Sequence, residues 1–268
     1  MKTHTVIYKH VGETPLQALE GFRKTRPEFR DAPLTYSGRL DPMAEGKLLI
    51  LAGEECKNRA EYDGLDKEYE FEILFGFKSD TGDVLGLVDS CDGAKEFFTN
   101  NVGEAAKSFL GTHSFPYPAF SSKTVHGRPL FHHAIQNNLE SIEIPEVSVR
   151  IHKIRFCSIE SVSRGELIEN ILKKIDLLKI DTVDSRTGSG FRKDEILKRW
   201  GTFRVGELNR HIIAKFQATV SSGTYIRVLA SRIAEKLGTC GLAYSIRRTK
   251  IGCYVPVTKN FGFWRKMF

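Results

Sequence analysis

The sequence predicts an α+β fold built on a mainly antiparallel sheet. Some segments, such as 67–75 and 212–220, alternate apolar and polar residues with the period of a strand. Others, such as 224–237, repeat apolar residues at helical spacing. Strands and helices do not alternate regularly, and no linker-like break separates two cores. Both observations favour a single domain with an antiparallel sheet.

In the first half of the chain, the clearest local signal is a helix start. Thr14 is suited to cap the helix, Pro15 occupies its first position, and Gln17 completes a capping box. The other elements predicted here are strands at Thr5–Tyr8 and Lys67–Phe75 and a helix at Ala94–Leu110, interrupted at Gly103.

In the second half, Glu146–Phe156 is predicted as a strand. Its apolar phase shifts after Ile151, which indicates a bulge. A helix is predicted at Thr224–Leu237, with Gly238 where a C-terminal cap belongs. The remaining predictions are an irregular stretch at Pro116–Pro129, helices at Leu130–Leu139 and Leu167–Leu178, a polar loop at Asp181–Gly190 and a strand at 212–220.

Composition excludes several classes of protein. With 41% hydrophobic and 27% charged residues, the chain is globular rather than disordered. Its longest apolar run, Leu48–Ala52, is too short to cross a bilayer, and residues 1–10 lack the apolar centre of a signal peptide. The five cysteines include no CxxC pair, which predicts reduced thiols in the cytoplasm.

Basic residues are concentrated near the C-terminus. The whole chain carries 40 Lys and Arg against 33 Asp and Glu, a net charge of +7. Residues 221–268 hold nine basic residues and one acid, a net +8. This concentration is typical of a protein with a polyanionic partner, although a solubilising surface explains it equally well.

Ser37–Leu49 is the segment most suggestive of chemistry. A lone carboxylate, Asp41, lies between a glycine-containing loop and an apolar run, and small residues around it permit close approach of a ligand. The simpler interpretation is an Asp-Pro turn between two structural elements. The segment contains no phosphate-binding loop or metal-binding HExxH motif, and neither does the rest of the sequence.

Residues 38–48 resemble the G-x-L-D-P-x-A-x-G-x-L motif of the TruB family of tRNA pseudouridine synthases. Further segments resemble other family motifs in the same order. They are Tyr8–Gly12 (with His10 in place of a proline), Lys67–Phe71, Pro118–Gly127, Gly223–Arg227 and Ile246–Thr249. The resemblance therefore extends over about residues 8–254.

The resemblance implies a pseudouridine synthase fold, with a mixed, mainly antiparallel sheet, flanking helices and a thumb-like segment at about 113–146. The catalytic domain would span 1–254. Asp41 would be the nucleophile or the base at C2′, Arg227 its ion-pair partner, and Tyr69 the residue that stacks on uracil. The implied substrate-binding residues are Tyr36, Arg39, Lys67, Tyr225, Ile246, Arg247 and Arg248.

Each of these residues also has a plain structural interpretation. Tyr69, Tyr225 and Ile246 fit equally into a hydrophobic core. Arg227 fits a phosphate contact or a surface charge. Arg39 can reach either a phosphate or a nearby carboxylate.

The chain departs from the family pattern in three places. Tyr36 stands where bacterial members usually have a histidine. The tail at 255–268 is too short for the family's RNA-binding PUA module. Residues 164–208 form a longer connection than the family has, with a role as an RNA-contacting lobe, a dimer contact or a filler.

The function implied by the resemblance is isomerisation of uridine to pseudouridine at position 55, in the T loop of tRNA. It requires no cofactor, metal, membrane or protein partner, and the protein is expected to act as a cytoplasmic monomer. Three alternatives remain: the same chemistry on another RNA loop, a tRNA-binding folding helper whose catalysis is dispensable, and a simple basic RNA-binding module. An exposed Asp41 far from Arg227 would favour the last.

Overall fold

A computed structural model describes residues 4–91, 101–179, 192–204, 210–258 and 261–268. Its strands are β1 His4–Lys9, β2 Leu34–Ser37, β3 Glu45–Ala52, β4 Asp66–Phe75, β5 Phe77–Ser79, β6 Val88–Ser90, β7 Gly111–Pro116, β8 Thr124–Val125, β9 Arg128–Pro129, β10 Glu146–Ser163, β11 Arg210–Val220, β12 Gly241–Pro256 and β13 Gly262–Met267. Its α-helices are α1 Pro15–Lys24, α2 Arg59–Asp63, α3 Val102–Lys107, α4 Leu130–Ile135, α5 Arg164–Asp176, α6 Lys193–Gly201 and α7 Ile226–Lys236. None of these helices is long and apolar enough to span a membrane.

A nine-stranded sheet organises the molecule. Seven strands follow the order β1-β3-β12-β4-β11-β10-β7, with β2 paired to β3 and β13 paired to β12. All pairs are antiparallel except β12 with β3, which run parallel where Arg247 and Arg248 lie opposite Glu45 and Gly46. The sheet is therefore mixed and mainly antiparallel, which confirms the predicted α+β class.

Local sequence signals identified several elements correctly. Thr14 caps α1, and both hydrogen bonds of the capping box with Gln17 are present. The register of β10 shifts between Ile151 and Lys153, which confirms the predicted bulge, although the strand continues to Ser163. Gly238 follows α7 with a φ of +75°, as expected of a glycine cap.

Other predictions need correction. Gly103 lies within α3 and does not interrupt it. Helix α4 ends at Ile135 instead of Leu139. The predicted loop 181–190 and the first part of the predicted helix 94–110 lie outside the described residues.

The prediction of five reduced cysteines was wrong. Cys91, which follows β6, forms a disulfide with Cys240, which precedes β12. Cys56, Cys157 and Cys253 are free thiols. Sequence spacing did not indicate this pair, because the two cysteines are 149 positions apart.

Gly46 allows β3 and β12 to approach each other closely. Its φ is +110°, and a Cβ atom there would lie 2.3 Å from the carbonyl oxygen of Arg248. Gly53 also has a positive φ, +62°, but faces open space. We therefore expect Gly46→Ala to lower the free energy of unfolding by at least about 3 kcal/mol. Gly53→Ala should cost only about 1–2 kcal/mol. Urea denaturation would measure both, and equal losses would contradict the close-approach argument.

Candidate active site

Two buried cations hold the loop that carries Asp41. Lys9 donates from Nζ to the carbonyl oxygen of Ala44 at 2.6 Å. Arg248 donates from Nη2 to the carbonyl oxygen of Gly38 at 2.8 Å. Burial lowers the pKa of Lys9 to about 8. The loop is thus fixed on both sides of Asp41.

Arg227 is positioned by the turn between β11 and α7. Gly223 adopts a φ of +84° in this turn, and Arg227 becomes the second residue of the helix. Its Nε donates to Asp41 Oδ2 at 2.8 Å. Nη1 and Nη2 donate to the carbonyl oxygens of Thr81 and Phe120. Every nitrogen of this buried guanidinium therefore has an acceptor, and the predicted Asp41–Arg227 pair is formed.

A second carboxylate, Asp83, lies against the same guanidinium. Its Oδ2 is 3.7 Å from Arg227 Nε, and its Oδ1 accepts from Thr81 Oγ1 and the Leu85 amide, both at 2.9 Å. Burial raises the pKa of Asp83 to about 6, although Arg227 opposes the shift. Burial alone would lower the pKa of Arg227, but Asp41 and Asp83 raise it.

Asp83 was not among the site residues predicted from the sequence. The side chain of Asp83 is 6% exposed, whereas that of Asp41 is 35% exposed. Arg227 therefore connects a buried carboxylate to one that is open to a ligand. Nothing in the local sequence distinguishes Asp83 from an ordinary turn residue, because its partner is 144 positions further along the chain.

The raised pKa of Asp83 predicts a pH-dependent effect on stability. Its folded pKa of about 6 is above its ordinary value of 3.8, so ionisation of Asp83 destabilises the folded state as the pH rises between these values. The free energy of unfolding of Asp83→Asn should therefore rise relative to wild type between pH 4 and pH 7. Urea denaturation at both pH values would test this, with the exposed Asp31→Asn as control. The burial argument would be contradicted if the variant and the wild type differed by the same free energy of unfolding at both pH values. It would also be contradicted if the wild type became the more stable of the two, relative to pH 4, at pH 7.

Asp41 and Arg227 line a cavity of about 1000 Å³. Aromatic side chains form much of its wall. Tyr225 contacts Tyr117 edge to face, with ring centroids 5.9 Å apart. The other aromatic lining residues are Tyr36, Tyr69, Phe120 and Phe131. A cavity of this size can hold a nucleotide, and aromatic walls suit a planar base.

Tyr69 and Ile246 belong to both the core and the cavity. They are 7% and 4% exposed, and both pack in the main hydrophobic cluster. Both also line the cavity. Tyr69 lies opposite Ala218 on β11 and Arg248 on β12. The structural and the ligand-facing interpretations of these two residues are therefore compatible.

Lys67 lines the cavity but is bound within the protein. Its Nζ donates to the carbonyl oxygens of Leu65 and Asp63 at 2.6 and 3.1 Å and to Ser222 Oγ at 3.3 Å. Burial lowers its pKa to about 8. This arrangement gives Lys67 a role in joining β4 to the β11–α7 turn.

Five of the eight described cations of the C-terminal segment have acceptors within the protein. Four of its cations form ion pairs: Arg227 with Asp41, Arg232 with Glu235, Arg247 with Glu70 and Lys250 with Glu68. Arg248 is 1% exposed, with its guanidinium on the carbonyl oxygens of Lys47, Gly38 and Arg39. Arg248 also lines the cavity, so its assignment to substrate binding stays a prediction beside this structural role.

Arg247 and Arg39 occupy contrasting positions. Arg247 is exposed and lies outside the cavity lining, paired with Glu70 on β4. Arg39 is exposed and lines the cavity.

Among the residues that the structure describes, no group of three His, Cys, Asp or Glu side chains is placed to hold a metal ion.

Comparison with solved structures identifies the architecture. The chain superposes on a chain of "Crystal Structure of a Cbf5-Nop10-Gar1 Complex" with a TM-score of 0.53 and 15% identity, covering 92% of this chain and 48% of that one. This likeness shows that the two chains share a fold. The class of protein follows from the match of residues 28–170 to a pseudouridylate synthase family.

Within that class, the chain belongs to the TruB family. Residues 28–170 match the description "TruB family pseudouridylate synthase (N terminal domain)". The chain is 28% identical over 218 residues to tRNA pseudouridine synthase B of Chloroherpeton thalassium, covering 81% of this chain and 69% of that protein. It is also 28% identical over 240 residues to tRNA pseudouridine synthase 4 of Saccharomyces cerevisiae, covering 79% of this chain and 59% of that protein.

Proposed function

We propose that this protein isomerises uridine to pseudouridine at position 55, in the T loop of tRNA. The observation that carries the proposal is the 2.8 Å contact between Arg227 Nε and Asp41 Oδ2 at the wall of the cavity. Family membership and the names of both relatives support tRNA as the substrate.

The reaction needs one ionised carboxylate. The N1–C1′ bond breaks, uracil rotates, a C5–C1′ bond forms, and the proton on C5 is replaced by one on N1. Asp41 either attacks a carbon of the substrate or removes the C2′ proton, and both routes require its charged form. Arg227 donates from Nε to Asp41 Oδ2 and so fixes the direction of that carboxylate.

The aromatic wall gives the flipped base a place to bind. A uridine inside an RNA loop must leave its stack before its C1′ can reach Asp41. Tyr69 lies in the same cavity and offers a ring on which uracil can stack. Tyr225 and Ile246 complete the apolar surface around the base.

One copy of the chain supplies all three proposed catalytic residues, so we expect a monomer to be active without a protein partner. The proposed tRNA substrate supports the proposal that the protein acts in the cytoplasm. The Cys91–Cys240 disulfide is unusual for that compartment.

A tritium-release assay tests the function. An unmodified tRNA transcript labelled at uracil C5 loses tritium only when C5 becomes the glycosidic carbon. Release, with the product mapped to position 55, would support the proposal. Release mapped elsewhere would indicate another RNA loop, and no release despite tRNA binding would indicate a folding helper or a binding module.

The contact between Asp41 and Arg227 argues against the simple binding module. Such a module has no need for an arginine with all its nitrogens on acceptors, directed at one carboxylate in a cavity. Removing these charged groups from water costs free energy, and a module that only binds RNA gains nothing in return.

A further inference from the structure

The cavity contains few cations that remain free to bind a phosphate. Arg227, Arg248 and Lys67 are bound to protein acceptors. Arg192 forms an ion pair with Asp80 at 2.7 Å and lies over the ring of Phe120. Among the described arginines and lysines of the lining, Arg39 and Arg59 remain. Arg59 lies outside the motifs that predicted the other site residues.

Arg59 is held in place on two sides. Its guanidinium lies over the ring of Tyr36, 5.8 Å from the centroid. Its Nε is 3.3 Å from Asp63 Oδ2, one helical turn further along α2. Asp63 in turn accepts, through Oδ1, from Ser37 Oγ at 2.9 Å and the Gly38 amide at 3.2 Å. Arg59 is therefore connected to the loop that leads to Asp41.

These contacts leave the outer edge of the guanidinium available. The side chain is 38% exposed, and within the described part of the chain the structure records no acceptor for Nη1 or Nη2. Two parallel N–H donors on a fixed plane match the oxygens of a phosphodiester. If Arg59 served only as a surface ion-pair partner of Asp63, nothing would explain why its guanidinium lies over the ring of Tyr36 at the cavity.

We propose that Arg59 binds a phosphodiester of the substrate RNA next to the flipped uridine, with Tyr36 and Asp63 orienting its guanidinium. The inference rests on the proposed function for the identity of the RNA. It assigns Arg59 to substrate binding and gives it no part in the chemical step.

Replacing Arg59 tests this contact through its dependence on salt. For Arg59→Gln, we expect affinity for an unmodified tRNA transcript to fall about tenfold at 0.1 M KCl. The slope of log K against log [KCl] should decrease in magnitude by about 0.7–0.9, the value for one lost phosphate contact. Arg59→Lys should retain the slope and recover part of the affinity, because it keeps the charge but loses the planar fork.

Lys57→Gln is the matched control. It removes the same charge two residues away, from an exposed side chain paired with Glu54 that does not line the cavity. Equal losses in the two glutamine variants, or an unchanged slope in Arg59→Gln, would overturn the proposal. So would a fall in the single-turnover rate at saturating RNA with affinity unchanged, because Arg59 would then act on the Asp41 loop.

The same experiment separates this inference from the proposed function. Wild-type protein is assayed for pseudouridine on the same transcript. If no product forms, the proposed function fails, yet the salt slopes still test the RNA contact. If product forms and the slopes of wild type and Arg59→Gln agree, only the inference about Arg59 fails.

Discussion

Asp41→Asn should reduce single-turnover pseudouridine formation by at least about a thousandfold, a loss of ~4 kcal/mol of transition-state stabilisation. The amide keeps the shape of the carboxylate and still accepts from Arg227 Nε. It has no negative charge with which to attack carbon or remove a proton. Affinity for tRNA should change by less than about threefold, because Asp41 is one small group in a cavity of about 1000 Å³.

This experiment has a matched control and two informative outcomes. Asp31→Asn removes the same charge at an exposed position outside the cavity lining and should retain wild-type activity. Product formation by Asp41→Asn at a wild-type rate would refute the central role of the carboxylate. Loss of folding, seen as a lower melting temperature, would require Asp41→Glu as a second variant. A correctly folded Glu variant with full activity would show that the position of the carboxylate is not critical.

The parts of the fold that the sequence predicted are those determined by neighbouring residues. The capping box at Thr14 and the amphipathic stripe of α5 are local patterns, and both were predicted. Strand β12 was missed, because register shifts between Ala243 and Ser245 and between Arg248 and Lys250 break its alternation. Strand β3 was recognised only as an apolar run, since its last five residues are all buried and do not alternate.

The candidate site divides in a similar way. The motif around Asp41 identified the residue, and the motif at Gly223–Arg227 identified its partner. The roles of Asp83 and Arg248 depend on contacts between distant parts of the chain. Arg248 Nη2 reaches the carbonyl of a residue 210 positions earlier. A cation that binds such a carbonyl has the same local sequence as one that binds RNA, so the sequence alone does not distinguish the two roles.

The net charge of +8 in the C-terminal segment does not by itself locate an RNA-binding surface. Four of the segment's eight described cations stabilise the sheet and the site through pairs with β4 carboxylates, Asp41 or backbone carbonyls. The charges left to meet an RNA at the cavity come from the N-terminal half, at Arg39 and Arg59. Net charge of a segment therefore predicts a partner only after the internal pairs have been subtracted.

The second large effect is expected for Arg227→Lys, which should lower the single-turnover rate about a hundredfold or more. A lysine keeps the positive charge between Asp41 and Asp83, which limits the loss of stability. It cannot donate at once to Asp41 and to the carbonyl oxygens of Thr81 and Phe120. The carboxylate of Asp41 would then lose its fixed direction. Arg232→Lys, on the exposed side of the same helix, is the control and should be near wild type.

A double-mutant cycle determines whether Arg227 acts through Asp41. If its role is to orient that carboxylate, Arg227→Lys should add little to the defect of Asp41→Asn, and the two losses will be strongly non-additive. Fully additive losses would mean that Arg227 stabilises the reaction independently, for example by contacting the substrate itself. Additivity is hard to reconcile with a guanidinium that is 3% exposed and has an acceptor on every nitrogen. The geometry therefore predicts that the rate of the double variant will equal that of Asp41→Asn alone.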